Sequence, residues 1–390
     1  MSLNKRNCVI KKLGEICTIE RGGSPRPISA YLTDSEDGVN WIKIGDAEEG
    51  AKYITSTKER IKPEGVKKSR MVHKGDFILS NSMSFGRPYI LDIDGCIHDG
   101  WLVIHDKNNV FNKSYLYYYL ASPNIYREFQ SLAVGGVVNN LNSELVRNVQ
   151  VAIPPLPEQS RIVEELDLLS NIIEKKRQQL SELDNLAQSI FYDMFGDPVT
   201  NEKGWEVKKL GEVCKSDLGK TLNQSKDRGE YHHYLCAINI LWGYINLNNL
   251  KQARFENTEL EKYSVEKGDL LICEGGDVGR AAIWNEDKPM LYQNALHRVR
   301  FDRSVQAIYA LYWLLWLKND GELDKYVKGV TIKHLVKSSL LSIPICLPPL
   351  SLQQLFAQKI EAIEKEKELI KQSIKETEEL FNSRMDYYFS

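Results

Sequence analysis

Two long stretches of the chain place apolar residues at alternating steps of four and three positions. They cover residues 162–194 and 356–388, and neither contains Gly or Pro. This heptad spacing predicts two long helices that pair along an apolar seam. A lysine interrupts each seam, Lys176 in the first and Lys367 in the second. Such a lysine can fix the register of the helix pair. Alternatively, its aliphatic stem packs in the seam while its ammonium group reaches water, and we favour this second interpretation.

The rest of the chain has a different pattern, in which short apolar runs alternate with Gly, Asn and Asp. Residues 41–44, 76–79 and 270–272 are β-like runs, and we expect Trp41 to belong to the core. Aromatic-rich stretches at 115–120 and 309–317 predict helices. The pattern therefore predicts mixed α/β globular domains.

Most of the chain is one unit written twice. Four motifs recur in the same order at offsets of 193 to 197 residues: KKLGEIC at 11–17 and KKLGEVC at 208–214, V-x-KGD at 72–76 and 265–269, Gly86-Arg87 and Gly279-Arg280, and PPL-x-x-Q at 154–159 and 348–353. The predicted fold class is α+β, with two duplicated globular domains separated by two long helices.

The domain boundaries follow from these two patterns. We expect globular domains at 1–153 and 198–347, and helices at 154–197 and 348–390. Antiparallel pairing of the helices would form a coiled coil and relate the two domains by a pseudo-two-fold axis. The alternative is that each helix pairs with another chain.

The charge is unevenly distributed along a chain whose net charge is −2. Residues 1–150 carry +3 and 201–347 carry +2, whereas 151–200 carry −5 and 348–390 carry −2. This distribution fits local DNA contacts by the globular parts and acidic helices that face solvent or protein. A charge of +2 or +3 is also common in proteins that never bind DNA.

Motifs for catalysis are missing from the sequence. There is no P-loop, H-E-x-x-H or G-x-S-x-G pattern, and the seven histidines lack metal-ligand spacing. The carboxylates Asp92, Asp94 and Asp99 have no counterpart in the second unit, so we interpret them as turn residues rather than a metal site. We therefore expect no catalytic residues, no metal and no cofactor.

The seven cysteines are scattered, without a C-x-x-C pair, as is usual in a reducing cytoplasm. The longest apolar run, residues 308–317, is about half of what a membrane span needs. We expect a cytoplasmic protein that does not contact membranes.

At this point the motifs resemble the specificity (S) subunits of type I restriction–modification enzymes. The resemblance covers nearly the whole chain, and its most specific part is residues 136–141 with the closing run IPPLPEQ at 153–159. The second copy departs from it: Leu352 replaces the usual Glu, and residues 219–221 are a loose version of the first unit's GGSP segment at 22–25.

The resemblance implies that the chain is a non-catalytic subunit. Each globular part would be a target recognition domain that reads one half of a split, asymmetric site in double-stranded DNA. The helices would set the distance between the half-sites and dock methyltransferase (M) subunits, which we expect to be two. A separate restriction and motor (R) subunit would complete the complex.

Candidate DNA contacts are polar residues in Gly-punctuated loop segments, because Arg and Lys can bind guanine edges or phosphates and Asn can pair with adenine. They are Arg21, Ser24, Arg26, Lys43, Arg87, Asn139 and Asn140 in the first unit, and Lys220, Asn223, Arg280, Lys328, Thr331 and Lys333 in the second. For each residue, an ordinary solvated surface position is the competing interpretation. Arg87 and Arg280 rank highest because they recur, although a structural turn would recur as well.

Three other functions compete with this one. The closest is the recognition subunit of a related fused restriction–methyltransferase system. A free-standing DNA-binding scaffold and a nuclease or methyltransferase with a diverged site are the others. The sequence shows no S-adenosylmethionine loop and no N-P-P-Y-type tetrad, which disfavours the enzyme.

Overall fold

The structure is a computed structural model that describes residues 8–48, 50–81, 86–133, 141–223, 225–329 and 333–390. The chain forms two compact units, Met1–Arg177 with Gln372–Ser390, and Gln178–Lys371. Each unit therefore combines a globular part with segments of both long helices.

The first globular part begins with strands and is completed by helices. Its elements in chain order are β1 (Val9–Lys12), α1 (Leu13–Ile16), β2 (Cys17–Arg21), β3 (Leu32–Thr33), β4 (Val39–Ile42), β5 (Tyr53–Ile54), β6 (Glu59–Ile61), α2 (Pro63–Val66), β7 (Arg70–Val72), β8 (Phe77–Ser80), β9 (Pro88–Leu91), β10 (Gly95–Ile97), β11 (Trp101–Asp106), α3 (Lys113–Ala121), α4 (Pro123–Ala133), α5 (Ser143–Asn148) and β12 (Gln150–Ile153). The long helix α6 (Leu156–Phe195) follows.

The second globular part repeats this order. Its elements are β13 (Glu206–Lys209), α7 (Leu210–Val213), β14 (Cys214–Leu218), β15 (Glu230–Leu235), β16 (Ile240–Leu241), β17 (Tyr244–Ile245), β18 (Lys251–Phe255), α8 (Asn257–Leu260), β19 (Ser264–Val265), β20 (Leu270–Cys273), β21 (Ala281–Ile283), β22 (Met290–Tyr292), β23 (Leu296–Phe301), α9 (Ala307–Asn319), α10 (Lys337–Ser342) and β24 (Pro344–Leu347). The second long helix, α11 (Leu350–Phe389), follows.

The sheets of the two units share four strands each in the same order; β5 and β3 add an edge strand to the sheets of the first unit, and β16 pairs separately with β17 in the second. In the first unit, β2-β11-β8-β9-β5 and β3-β6-β4-β10-β7 form two sheets, and β1 pairs with β12. In the second unit, β14-β23-β20-β21 and β18-β15-β22-β19 form the equivalent sheets, and β13 pairs with β24. Even the parallel pair β4–β10 recurs as β15–β22. The predicted duplication and the mixed α/β class are confirmed.

Both sheets of each unit bury apolar side chains. In the first unit, Ile42 and Ile97 of one sheet pack with Ile78 and Trp101 of the other. The outer face of the β2-β11-β8 sheet packs against α3, α4 and α6 through residues such as Phe129. Strand β8 is buried along its whole length because side chains on both of its faces are covered. Trp41 is buried, as expected, on the far face of its own sheet.

The long helices pair antiparallel within each unit. In the first unit, Glu165 of α6 contacts Arg384 and Tyr388 of α11, and Lys176 contacts Ser373. In the second unit, Lys367 forms an ion pair with Asp184 and Phe356 packs against Phe191. The contacts run in opposite directions along the two helices, so antiparallel pairing within one chain is confirmed in each unit.

Both seam lysines contact the opposite helix. The ammonium of Lys176 lies 2.5 Å from Ser373 Oγ and 3.2 Å from Thr377 Oγ1. The ammonium of Lys367 lies 2.7 Å from Asp184 Oδ1, and its side chain is 15% exposed. Each ammonium therefore bonds to a polar group across the seam, and Lys367 also bonds to Glu364 of its own helix. Both lysines are half-buried, so the favoured interpretation, a head that reaches water, stays a prediction.

The recurring PPL-x-x-Q motif places a glutamine in a fully buried position. Gln159 Nε2 donates to Val110 O at 3.0 Å and Pro154 O at 2.9 Å, and its Oε1 accepts from Asn112 N at 2.8 Å. Gln353 makes the same three bonds in the second unit, to Ser304 O, Pro348 O and Gln306 N. The motif recurs because its glutamine joins the start of each long helix to the globular part.

The helices begin and end close to the boundaries expected from the sequence. β12 ends at Ile153 and β24 at Leu347, and the long helices begin three residues later in each case. The compact units, however, divide both helices near their middle. The division of labour between globular parts and helices therefore stays a prediction. Over the described ranges, no helix is long and apolar enough to cross a membrane.

Candidate nucleic-acid interface

Each unit places the loop that follows β2 or β14 beside the turn that precedes β11 or β23. In the first unit, Gly22 N donates to Trp101 O at 2.9 Å and Gly23 N to Ile97 O at 3.1 Å. In the second, Gly219 N donates to Leu296 O at 3.4 Å and Lys220 N to Tyr292 O at 3.0 Å. A Cβ on Gly22 would lie 2.1 Å from His98 O, so this close approach requires glycine. The same backbone frame therefore recurs in both units.

In the first unit, this frame gathers three predicted residues around one carboxylate, and a fourth lines the same cleft. Ser24 Oγ donates to Asp99 Oδ1 at 2.6 Å, and Arg21 Nε donates to the backbone oxygen of Asp99 at 2.8 Å. Arg26 Nη2 lies 3.6 Å from Asp99 Oδ2. Lys43 also lines this cleft, where its ammonium lies 2.5 Å from Glu59 Oε1. We call Arg21, Ser24, Arg26, Lys43 and Asp99 the first cluster.

The first cluster borders an open cavity of about 870 Å³. Apolar side chains, among them Pro25, Ile28 and Trp41, form part of its lining, and Ser24, Arg26 and Asp99 contribute polar groups. The Arg26 side chain is 82% exposed and that of Asp99 is 41% exposed. The cluster therefore presents two guanidinium groups and one carboxylate to a molecule outside the protein.

The protonation states follow from the surroundings. The hydrogen bond from Ser24 holds the pKa of Asp99 below its usual value, so Asp99 is a carboxylate at neutral pH. Burial lowers the pKa of the neighbouring His98, which is therefore neutral at the same pH. The basic side chains of the cluster are those of Arg21, Arg26 and Lys43.

In the second unit, the same frame holds an uncharged pair. Asn294 Nδ2 donates to Thr221 Oγ1 at 3.2 Å, at the positions equivalent to Asp99 and Ser24. The backbone around it also matches, because Glu274 N donates to Ala295 O at 2.9 Å, as Asn81 N does to Gly100 O in the first unit. We call Thr221 and Asn294 the second cluster.

Lys220 is a buried residue, unlike the solvated loop cation that we expected. Its side chain is 6% exposed, and its ammonium lies 2.6 Å from Glu259 and 3.5 Å from Asp227. It also donates to Arg254 O at 2.9 Å. These contacts hold the loop against the sheet, so Lys220 supports the second cluster and does not face solvent.

The recurring Gly-Arg pair has a structural reason. Gly86 and Gly279 have φ values of +80° and +85°, which disfavour any other residue. Arg280 donates to Ala237 O at 2.8 Å and its side chain is 21% exposed, so it ties the turn to the neighbouring segment. Arg87 lines a separate cavity of about 320 Å³. The structure does not bring either arginine into the two clusters.

The remaining predicted residues fall into two groups. Asn223, Lys328 and Lys333 are exposed in the second unit. The side-chain oxygen of Asn223 accepts from Ser225 Oγ at 2.8 Å, and Lys328 forms a reciprocal backbone bridge with His334. Asn139, Asn140 and Thr331 lie outside the described residues.

Sequence reasoning missed two features of the first unit. Asp99 lies in a turn, as expected, but its carboxylate is also the group on which the first cluster converges. Residues 58–70 contain six basic and two acidic side chains and lie beside the same loop, where Lys62 Nζ donates to Ala30 O at 2.9 Å and Arg70 Nε to Arg21 O at 2.8 Å. The charge run itself was a visible signal for this basic segment.

Asp92 and Asp94 do have the turn role that we expected. Asp94 Oδ1 accepts from Lys74 N at 2.7 Å, and Asp92 Oδ1 lies 2.8 Å from Lys74 Nζ. Within the described ranges, the His, Cys, Asp and Glu side chains form no group of three or more that could hold a metal ion.

Comparison with known proteins decides the family. A family model described as "Type I restriction modification DNA specificity domain" matches residues 5–185 and 202–379. The chain belongs to this family. The two matches correspond to the two copies of the repeat, so the predicted family and DNA-recognition class are confirmed.

Named members of the specificity family align with most of the chain. The type I restriction enzyme MjaIX specificity subunit of Methanocaldococcus jannaschii is 24% identical over 381 residues, which cover 91% of this chain and 86% of that protein. The EcoKI specificity subunit of Escherichia coli is 20% identical, over 74% of this chain and 66% of that protein.

Solved structures of this family share the fold. A chain from a study of complex assembly and conformational transition of the type I restriction–modification system gives a TM-score of 0.64 at 20% identity, over 98% of both chains. The type I restriction–modification S subunit from M. genitalium gives 0.54 at 13% identity, over 100% of this chain and 98% of that one. At these identities the likeness concerns the fold alone.

Proposed function

We propose that this chain is the DNA-recognition subunit of a type I restriction–modification complex and that each unit reads one half of a split, asymmetric DNA site. One observation carries the proposal: the same backbone frame presents a charged cluster in one unit and an uncharged cluster in the other. Two equivalent frames with different side chains suit a target with two different halves.

Contacts to the DNA backbone belong to the basic segment in the first unit. Lys58, Arg60, Lys62, Lys67 and Lys68 are exposed along residues 58–70, next to the first cluster. Phosphate contacts of this kind fix the position of a protein on the duplex and make binding salt-dependent, whereas base contacts supply specificity. Lys328 and Lys333 are the corresponding candidates in the second unit.

The long helices are the proposed docking surfaces for methyltransferase subunits. Leu186 of α6 and Leu380 of α11 occupy equivalent positions of the repeat, and both are about half exposed, at 47% and 50%. A single exposed leucine is common on a protein surface, so the support for docking is that this one recurs at the equivalent position of both helices. Because the repeat presents this feature twice, we propose two methyltransferase subunits for each chain, together with restriction subunits in the complete enzyme.

Methylation mapping tests this function directly. The chain would be expressed in cells with its cognate methyltransferase subunit, and modified bases would be located by long-read sequencing. We expect a split motif with a modified adenine in each half, which disappears when the chain is deleted. Methylation that does not change on deletion would contradict the proposal and favour a free-standing DNA-binding scaffold.

A further inference from the structure

The two clusters differ in the chemistry they offer at one equivalent position. Asp99 lies two residues after β10, which pairs in parallel with β4, and Asn294 lies two residues after β22, which pairs in parallel with β15. Each bonds to a hydroxyl in the loop after β2 or β14, that of Ser24 or Thr221. Asp99 accepts a hydrogen bond from Ser24, whereas Asn294 donates one to Thr221. The frame is the same, but one position holds an acceptor-only carboxylate and the other a mixed donor and acceptor.

The first cluster has the hydrogen-bonding pattern of a G·C complement. The major-groove edge of a G·C pair presents two acceptors on guanine and one amino donor on cytosine. Arg26 supplies donors and Asp99 supplies an acceptor, with 3.6 Å between Arg26 Nη2 and Asp99 Oδ2. This separation is longer than a hydrogen bond, so a base pair can engage both groups without first breaking a short bond between them.

The second cluster has the pattern of an adenine complement. One N–H of the Asn294 amide bonds to Thr221, which fixes the orientation of the side chain. The second N–H and the oxygen can then meet adenine N7 and the adenine amino group, the usual bidentate pairing of an asparagine. No charged residue takes the place of Arg26 here, because the equivalent position is Asn223.

Electrostatics favour a role for Asp99 in base recognition over a role in general DNA affinity. A carboxylate that is 41% exposed beside the basic segment repels phosphates and so lowers non-specific affinity. The cleft that it lines also holds Arg26 and the ion pair of Lys43 with Glu59. Arg21 Nη2 lies 4.0 Å from Asp99 Oδ2, so two guanidinium groups beside the carboxylate attract the duplex. A carboxylate in this place gains a favourable partner where the DNA offers an amino group, which is a property of particular base pairs.

We propose that Asp99, together with Arg26, selects a G·C pair in one half-site and that Asn294 selects an A·T pair in the other. The proposal rests on the function proposed above, because it assumes that both units read DNA. It makes residues 99 and 294 specificity-determining positions, with Ser24 and Thr221 as the residues that orient them.

The test uses the complete complex of the chain with its methyltransferase subunit. Asp99→Asn and Asn294→Asp keep nearly the same size and can still bond to Ser24 or Thr221. Asp37→Asn is the matched control, because Asp37 is exposed in the loop before β4. Relative binding constants would be measured for duplexes in which each base pair of the mapped motif is replaced by the other three.

We expect Asp99→Asn to reduce discrimination at one position of one half-site by about 10-fold or more, which is within the range for one bidentate contact. The other half-site should stay unchanged, and Asn294→Asp should show the converse result. The Asp37→Asn complex should match wild type throughout. Thermal unfolding of each variant and capture of the methyltransferase subunit would show that the complex is intact.

Several results would overturn the assignment. Unchanged base preferences in both variants would do so, and so would equal loss of binding to all four base pairs at every position, since a merely structural role predicts that loss. A discriminated pair other than G·C for Asp99 or A·T for Asn294 would also contradict it. If the wild-type complex shows no split motif at all, the proposed function itself fails, which the control measurements on wild type reveal separately.

Discussion

A single buried polar residue explains why one glutamine recurs in both copies of the repeat. Gln159 and Gln353 satisfy the same three backbone groups at the entrance of the long helices. Both side chains are fully buried, and each satisfies two backbone oxygens and one backbone N–H at once, which an apolar residue could not do. The recurrence of this glutamine is therefore a consequence of the fold and needs no direct contact with DNA.

Replacement of this glutamine should destabilise the second unit. We expect Gln353→Leu to lower its free energy of unfolding by about 3 kcal/mol, because three backbone groups lose their partner at once and an unsatisfied buried group costs about 1–3 kcal/mol. The neighbouring Gln354 is exposed, so Gln354→Leu should stay within about 0.5 kcal/mol of wild type. Chemical denaturation of both variants measures the difference, and equal midpoints would contradict the role given to Gln353.

A buried histidine makes the stability of the second unit dependent on pH. His297 is fully buried, and its Nε2 lies 2.7 Å from Leu335 O. Burial lowers the pKa of His297, so the folded state binds its proton less readily than the unfolded state. The stabilisation is complete above the ordinary pKa near 6.5 and decreases as the pH falls below that value towards the folded-state pKa.

We therefore expect hydrogen exchange in β23 to become faster between pH 7.5 and pH 5.5, after correction for the intrinsic exchange rate. His297→Gln keeps a donor for Leu335 O but has no proton to gain over this range. Its corrected exchange should change less with pH than that of the wild type. The same pH dependence in both proteins would show that His297 does not cause the effect.

At the residue scale, the sequence predicted some site residues and not others, for a physical reason. Ser24 and Arg26 lie two and four residues after Gly22, which a close backbone approach requires, so a local pattern was enough to select them. Lys220 has the same local appearance, but Glu259 and Asp227 bury its charge, and Glu259 is 39 residues away. The role of Asp99 depends on Ser24, 75 residues away, which no local pattern reveals.

At the scale of elements, the heptad spacing was sufficient to predict the helices and their seam. All the predicted seam positions are buried or half-buried, from Ile162 to Met194 and from Phe356 to Tyr388. The partner of each helix was not encoded in that spacing, because a seam is equally compatible with another chain. The choice comes from aromatic packing, which joins α6, α9 and α11 in the second unit.

Phe191 is the centre of this aromatic packing. Its ring lies 5.8 Å from Tyr309 and 5.7 Å from Phe356, and it is 1% exposed. Phe191→Ala should lower the free energy of unfolding of the second unit by about 3–5 kcal/mol, because it removes a large buried ring and leaves a cavity. Leu186→Ala, on the exposed side of the same helix, should change it by less than about 1 kcal/mol.

Hydrogen exchange in α9 would report the effect of Phe191→Ala, because α9 contributes Tyr309, Tyr312 and Trp316 to the cluster. Faster exchange of α9 in this variant, and wild-type exchange in Leu186→Ala, are the expected results. Equal behaviour of the two variants would mean that the aromatic cluster does not hold the helix pair to the globular part.

At the scale of the whole molecule, the second long helix contributes its last residues to the core of the first unit. Met385, Tyr388 and Phe389 belong to the same core as Leu13, Tyr115 and Leu166. The Phe389 ring lies 5.7 Å from Tyr115 and 5.6 Å from Tyr119, and Asn124 Nδ2 donates to Phe389 O at 3.1 Å. The first unit therefore cannot reach its full stability until the second long helix is in place.

This packing of α11 in the first unit leads to a prediction that would not hold if the chain were a series of independent domains. Phe389→Ala should accelerate hydrogen exchange in α3, α4 and the first half of α6, because it opens a cavity in their shared core. Exchange in β14, β20 and β23 should stay at wild-type rates, although these strands are much closer to Phe389 along the sequence than β1 and α1 are. Tyr387→Ala is the control, since Tyr387 is 38% exposed beside the same core. Faster exchange in the second unit, or unchanged exchange in the first unit, would mean that the end of α11 stabilises a different part of the chain.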